Sequence, residues 1–340
     1  MKAVLLRVPG GPDALEVVEL PTPEPLPGQV LVQAQAIGVG RPDVMIRTGK
    51  YKWMPPLPAV IGNEMCGVVA VLGQGVGREW LGRQVLVSAR ELDTRGGCYA
   101  EQMVLPVESL IALPDGLDAA HAVCLPNYQL AWGLLHDATR GRLPRSVYLN
   151  GAAGGVGSAL IDLCQQLGIT VIAGAGSEEK RRFALSLGAR AAVDTSVAAG
   201  AEMPAHALAQ QILDATAGRG VDVAYDHVCG PHVGDHLAAL APFGLLVSYN
   251  ALRGLPGQDV FAALRGHASH APGIVTYNMH AYDGDRDARR ALLRTPMEWM
   301  AQGRLRPKID RTLPISGASE AHRLLDARSV LGKLVLLPDH

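Results

Sequence analysis

The 340-residue chain is short of cysteine, of net charge and of long apolar runs, and each shortage excludes a class of protein. Its five cysteines (Cys66, Cys98, Cys124, Cys164 and Cys229) are scattered, with no Cys-X-X-Cys pair. That pattern excludes a disulfide framework and a clustered-thiolate metal site, and it points to a reducing, cytoplasmic location. The formal net charge of −1 leaves no electrostatic footprint for nucleic acid or for an anionic membrane surface. No apolar run reaches the roughly 18 residues of a membrane span. The segment Met1-Lys-Ala-Val-Leu-Leu-Arg7 meets charge and Pro9 too early for a signal peptide and reads as a first strand. What is present is 48% apolar and 19% charged residues, the balance of a compact globule, at a length sufficient for two domains.

Residues 1 to about 120 read as β-rich. Short runs such as Val30-Leu-Val-Gln-Ala34, Cys66-Gly-Val-Val-Ala-Val-Leu72 and Gln84-Val-Leu-Val87 are punctuated by Gly and Pro, as in a small barrel or sandwich. From about 122 to 280 strands alternate with helices. The expected strands are Val147–Leu149, Thr170–Ala173, Ala191–Val193, Val221–Tyr225, Leu245–Tyr249 and Ile274–Tyr277, and the helices include Ser158–Leu167, Glu178–Leu187, Ala205–Ala217 and Val233–Leu240. Such alternation predicts an α/β unit with a doubly wound parallel sheet covered on both faces. The tail holds an amphipathic helix over Arg286–Gln302, a helix over Ala318–Leu325 and a strand, Lys333-Leu-Val-Leu-Leu337, that returns to the first domain.

The run Asn150-Gly-Ala-Ala-Gly-Gly-Val-Gly157 lies between the strand Ser146-Val-Tyr-Leu149 and the helical pattern that opens at Ser158. A strand, a glycine-rich turn and a helix in that order form the phosphate cradle of a dinucleotide-binding unit. Gly151 permits the tight turn, Gly154 lets the backbone approach a pyrophosphate, and Gly157 lets helix and strand pack closely. The next strand, Thr170-Val-Ile-Ala-Gly-Ala175, ends without the acidic residue that would bind the ribose hydroxyls of NAD. It is followed by Gly176-Ser-Glu-Glu-Lys180-Arg-Arg182, in which Ser177 caps a helix and Lys180 is a cation for a 2′-phosphate. The missing acid and the basic cluster favour NADP(H) over NAD(H); Glu178 and Glu179 weigh the other way.

Several segments together resemble the medium-chain dehydrogenase/reductase superfamily, and within it the zinc-independent quinone oxidoreductases. They are Arg47-Thr-Gly-Lys-Tyr51, Leu57-Pro-Ala-Val-Ile-Gly-Asn-Glu-Met-Cys-Gly67, Gly96-Gly-Cys-Tyr-Ala-Glu101, Ala152-Ala-Gly-Gly-Val-Gly157, and the tail from Ala321-His322 to Gly332-Lys-Leu-Val335. The resemblance implies a GroES-like catalytic domain (1–121 and 282–340) interrupted by a Rossmann NADP(H)-binding domain (122–281). Zinc-dependent members carry a Cys after the first strands and a Gly-His-Glu segment. Here Val39-Gly-Arg-Pro-Asp43 and Gly62-Asn63-Glu64 stand in those places, so no metal is expected. Without a Lewis acid, the chemistry left is hydride transfer from NADPH to an electron-poor acceptor, a quinone or another α,β-unsaturated carbonyl.

The resemblance puts Tyr51 near the nicotinamide, where it orients the acceptor and hydrogen-bonds its developing oxygen or is only a half-buried loop aromatic. It puts Asn63 in the same cleft, where it donates a hydrogen bond to the acceptor or serves as a structural amide. It assigns Ala153, Gly154, Gly155 and Val156 to the pyrophosphate, and Gly176, Ser177 and Lys180 to the adenosine phosphate. Ser248, Tyr249 and Asn250 would lie along the cofactor, and Lys333 near the 2′-phosphate. Three departures from the family stand out: Gly40 where many quinone reductases have Asn, Thr195 where an aromatic residue or His is common, and the heavier segment Pro126-Asn-Tyr-Gln-Leu-Ala-Trp132. An enoyl-thioester reductase and a catalytically weak NADPH-binding interaction protein are the alternative functions. The segment Gly273-Ile-Val-Thr-Tyr-Asn278, read as the last strand of the sheet, implies a homodimer through that edge.

Overall fold

The computed structural model describes residues 1–196, 207–230, 233–257 and 259–339. Two compact units divide the chain: Met1–Pro126 with Leu293–His340, and Asn127–Leu292. The sequence reading sets the second boundary earlier, at 281, and places one amphipathic helix, Arg286–Gln302, beyond it. The structure keeps the segment before Leu293 with the second unit. There Arg289 is buried and its carbonyl accepts from Gln129 Nε2 at 2.7 Å.

In the first unit the strand Gln29–Val39 is the spine of a seven-stranded sheet. It pairs antiparallel with Glu64–Leu72, with Gln102–Pro106 and with the C-terminal strand Lys333–Leu337. The last pairing realises the expected return of the tail, with Leu334 opposite Val39 and Leu336 opposite Ile37. The near-continuous apolar run of that strand suits a position buried on both faces. A smaller sheet of Leu15–Glu19, Lys2–Leu6 and Ala59–Val60 closes the unit. Their shared core includes Leu6, Ile37, Ile61, Met65, Tyr99, Ile315 and Leu336, all fully buried. The expected helix Arg286–Gln302 is in fact two, Arg286–Ala291 and Arg294–Ala301. Pro296 has no N–H to give the Leu292 carbonyl, and its ring crowds that carbonyl, so one continuous helix cannot pass this point.

In the second unit six strands form an all-parallel sheet. Their spatial order is Ala191–Asp194, Thr170–Ala175, Ser146–Asn150, Val221–Asp226, Leu240–Ser248, Gly273–Thr276. Numbered from Ser146–Asn150, that order is 3-2-1-4-5-6, the dinucleotide-binding arrangement, in which ligands sit beyond the carboxyl ends of the strands where the order reverses. The strand expected at Leu245 begins at Leu240. Its pairing slips between Val221 and Val223, so Ala241–Gly244 forms a bulge with Phe243 at φ 63°. The helix expected over Ala205–Ala217 runs Ala207–Ala215, its first two expected positions lying outside the described residues.

Candidate active site

The second unit carries the cofactor cradle. Gly151 follows the central strand with φ 78°, and a β-carbon there would overlap the His227 ring. His227 is held from behind by Tyr249, whose hydroxyl lies 3.2 Å from Nδ1. The turn is further tied across the sheet by Asn150, whose Nδ2 donates to Asp226 Oδ1 at 2.8 Å. Asp226, at the end of its own strand, also accepts the backbone N–H groups of Val228 and Cys229. Gly154 then caps the helix Gly155–Leu167 with no side-chain partner, and a β-carbon there would meet only the Gly151 carbonyl oxygen, at 3.7 Å. Gly157 rests against the backbone of Ala152, where a β-carbon would come 2.6 Å from the carbonyl oxygen. Backbone donors, an open glycine face and a helix N-terminus fit a dinucleotide pyrophosphate.

The neighbouring strand end is equally built. Ser177 accepts from the Lys180 backbone N–H at 3.3 Å and caps the helix Glu178–Ser186. Of the basic cluster, Arg181 pairs with Asp194 at 2.8 Å and reaches the Ala175 carbonyl, while Arg182 pairs with Glu178. Lys180, in the first turn of the same helix, is the basic residue closest in sequence to the strand end. Ala153–Val156, Gly176–Lys180 and Ser248–Asn250 thus all follow the carboxyl ends of strands in one parallel sheet.

The first unit holds a compact polar cluster in otherwise apolar surroundings. The helix Arg41–Arg47 begins at Gly40, and Asp43 in its first turn reaches back to accept the Gly40 N–H at 2.7 Å, closing one half of a capping box. The other carboxylate oxygen of Asp43 accepts from Asn63 Nδ2 at 2.6 Å. Asn63 lies between Gly62 and the strand Glu64–Leu72. Gly62 has φ 99°, and its face is covered by the Tyr99 ring. The Tyr99 hydroxyl lies 3.1 Å from His322 Nε2, and the Asp43 carboxyl is near enough to raise its pKa. Beside them Lys333, 5% exposed, forms an ion pair with Glu64.

Burial dominates the electrostatics. Desolvation, helped by Glu64, pushes the Asp43 carboxyl up to about 6, against the pull of Asn63, Gly40 and Lys333. Desolvation, helped by the Arg47 guanidinium, pushes His322 down to about 3, so its ring is neutral. Arg47 is itself held by Asp326 at 2.7 Å. Burial and Asp43 keep the Tyr99 hydroxyl protonated, well above the usual phenol range. The neutral His322 ring shares one hydrogen bond with the protonated Tyr99 hydroxyl, its direction set by the imidazole tautomer.

Of the residues assigned from sequence, Asn63 and Lys333 fall within this cluster. Lys333 sits in the first unit against Glu64, one strand away from Gly38. Tyr51 packs against the first unit's core, with its ring 5.7 Å from that of Trp53. Sequence reasoning did not single out Asp43, Tyr99 or His322 as site residues. Its one available signal was Asp43 at the third position of a helix that starts Gly-Arg-Pro. Among the described residues no group of three or more His, Cys, Asp and Glu is arranged to hold a metal. The donor set also fits zinc poorly. Asn63 offers an amide already bonded to Asp43, and Glu64 is neutralised by Lys333.

A parallel sheet of this order, together with a β-rich unit bearing a buried polar cluster, defines a two-unit, dinucleotide-dependent oxidoreductase. Residues 26–115 match the family model of an alcohol dehydrogenase GroES-like domain, and residues 187–336 that of a zinc-binding dehydrogenase. A quinone oxidoreductase of Pseudomonas aeruginosa is 30% identical over 340 residues, which cover 99% of each chain. A 2-haloacrylate reductase of a Burkholderia species is 29% identical, covering 99% of this chain and 98% of its own. The structure of a mycobacterial protein complexed with NADPH has a TM-score of 0.84 at 28% identity, covering 99% of this chain and all of the other. The chain belongs to the zinc-independent quinone oxidoreductase family of the medium-chain dehydrogenase/reductase superfamily.

Proposed function

We propose that this protein is an NADPH-dependent reductase that transfers a hydride to a quinone or another α,β-unsaturated carbonyl without a metal ion. The observation that carries the reading is the closed donor set around Asn63. With its amide committed to Asp43 and Glu64 committed to Lys333, the cluster offers hydrogen bonds and charge rather than a Lewis acid. Such a site suits acceptors whose own conjugation spreads the arriving charge, leaving the protein to orient them and to stabilise a developing oxygen anion. NADPH would be held by the 153–156 turn through its pyrophosphate, by Ser177 and Lys180 through its 2′-phosphate, and by 248–250 along its length. It supplies the hydride.

The reading is supported by the names of the relatives, a quinone oxidoreductase and a 2-haloacrylate reductase, and by the NADPH in the mycobacterial neighbour. The test is cofactor oxidation with NADPH and NADH in turn, against naphthoquinone, cyclohexenone, 2-chloroacrylate and crotonyl-CoA. NADPH-dependent turnover of the first two is expected. Turnover confined to crotonyl-CoA would make the protein an enoyl-thioester reductase, and tight NADPH binding with no turnover would make it an interaction protein. Five unpaired cysteines suit a reducing compartment, and no helix among the described residues is long and apolar enough to cross a membrane. A dimer through the edge strand Gly273–Thr276 fits the exposed Phe243 and Phe261 of the same unit. Light scattering at micromolar concentration should give twice the chain mass, and a monomer would refute the dimer.

A further inference from the structure

Two glycines two residues apart on the spine strand and its exit behave differently. At Gly38 a β-carbon would come 2.5 Å from Glu64 Oε2 and 3.1 Å from Lys333 Cε, so glycine is what lets the Lys333–Glu64 pair lie across the strand. At Gly40 nothing of the kind holds. Its backbone is extended, with φ −141° and ψ 173°, a conformation open to every residue. A β-carbon there would sit 3.4 Å from Pro42 Cδ, 3.7 Å from Asp43 Oδ2 and 3.7 Å from Lys333 Nζ, all ordinary contacts. Neither backbone geometry nor packing requires glycine. What glycine does is leave a half-buried space faced at equal distance by a carboxyl oxygen and an ammonium nitrogen.

Both groups have capacity toward that space. Glu64 takes one of the three N–H groups of the Lys333 ammonium. Asp43 Oδ2 accepts the Gly40 N–H and, in the protonated acid, can carry the O–H that a carbonyl oxygen accepts. The groups facing Asp43 are the carboxylate of Glu64, the ammonium of Lys333, the amide of Asn63, the phenol of Tyr99 and the thiol of Cys98, with His322 and Arg47 behind Tyr99. Toward Lys333 the remaining neighbours are Glu64 and the buried, protonated thiol of Cys124. The space therefore presents one cation and one acid whose proton is held near neutrality.

We propose that the space over Gly40 is the seat of the acceptor's carbonyl oxygen, with Lys333 as its hydrogen-bond donor and Asp43 as its proton source. The inference rests on the proposed function and names its acceptor class, a neutral molecule with an exposed conjugated carbonyl. When the hydride reaches the β-carbon, a new C–H bond forms and the C=C π pair shifts to the α-carbon–carbonyl bond. The carbonyl π pair moves to oxygen, and Lys333 Nζ stabilises that enolate. The O–H bond of the protonated Asp43 carboxyl then breaks as the enol O–H forms, and Asp43 is reprotonated from solvent. A carboxylate-bearing acceptor would set its own negative charge beside the Glu64 carboxylate against a single lysine, so neutral acceptors are favoured.

The test uses the full chain and the variants Gly40→Ala, Lys333→Met and Lys333→Met with Glu64→Gln; the last removes both charges together, so that no buried carboxylate is left unpaired. Three quantities are read: KM and kcat for cyclohexenone, the affinity of the cofactor-free protein for 4-nitrophenol followed by its phenolate absorption, and the affinity for NADPH. Gly40→Ala should raise the cyclohexenone KM and weaken 4-nitrophenolate binding by about tenfold each, the loss of one charge-assisted hydrogen bond, with NADPH affinity unchanged. The double variant should lower kcat and abolish the preference for phenolate over phenol. Unchanged acceptor KM and phenolate affinity in Gly40→Ala would overturn the inference. So would a double variant that loses NADPH affinity while keeping the acceptor, because Lys333 would then serve the cofactor. A wild-type protein that reduces none of the acceptors, yet binds 4-nitrophenolate in a Gly40-dependent way, would overturn the proposed function and leave the seat standing.

Discussion

Replacing Asp43 by Asn should change how stability depends on pH, in a direction the structure fixes. The folded protein holds this carboxyl at about 6, above the ordinary value of 3.8, with desolvation as the largest cause. Between those two values the folded state binds a proton that the unfolded chain has already released, so stability falls as pH rises through the window. The full difference, 6 minus 3.8, corresponds to about 3 kcal/mol, of which ~2 kcal/mol is lost between about pH 4.5 and about pH 7.5. The substituted side chain cannot titrate, and one end of its amide must turn an N–H toward either Gly40 or Asn63. The variant should therefore be less stable than the wild type at the acid end, and should recover ~2 kcal/mol relative to it by the alkaline end. Urea unfolding followed by fluorescence of Trp53 and Trp80, both in the first unit, measures this at each pH. Parallel pH profiles for the two proteins would refute the reasoning, since they would mean that Asp43 titrates alike folded and unfolded.

Gly151→Ala places a side chain at φ 78° and against His227, so it should cost about 1–2 kcal/mol of stability and weaken NADPH binding, read by calorimetric titration. Lys180→Met should raise the KM for NADPH by about tenfold and leave that for NADH unchanged; equal effects on both cofactors would remove Lys180 from the 2′-phosphate. Leu334→Ala, at 1% exposure in the strand that pairs with the spine, should cost about 2–5 kcal/mol in thermal or chemical unfolding.

The parallel-sheet unit was legible because its signals are local. Val147–Leu149 is an apolar run that leads into its turn, Gly151–Gly157 punctuates it, and helices follow at regular spacing, so each element can be read without its neighbours. The tail was legible in part. Lys333–Leu337 declared itself by composition, whereas the break at Leu292–Leu293 depends on one missing N–H at Pro296, which a long amphipathic pattern masks. Asp43, Tyr99 and His322 belong to a third kind. They come from a helix start, a loop and a C-terminal helix, and a buried polar side chain looks in sequence like an exposed one. Their pairing exists only because Gly62, lacking a β-carbon, lets the Tyr99 ring pack against it.

Gly38 and Gly40 sharpen the point. As letters they are equivalent, and Gly40 registers only as a departure from the pattern that the family resemblance implies. The space around each separates them. Gly38 is filled by the crossing of Lys333 and Glu64, so its glycine answers to packing. Gly40 faces Asp43 and Lys333 across a gap that the fold does not need. A glycine demanded by neither conformation nor contact leaves room beside Asp43 and Lys333. On the proposed reading that room holds an oxygen that accepts from Lys333 and, at the end of the reaction, takes a proton from Asp43.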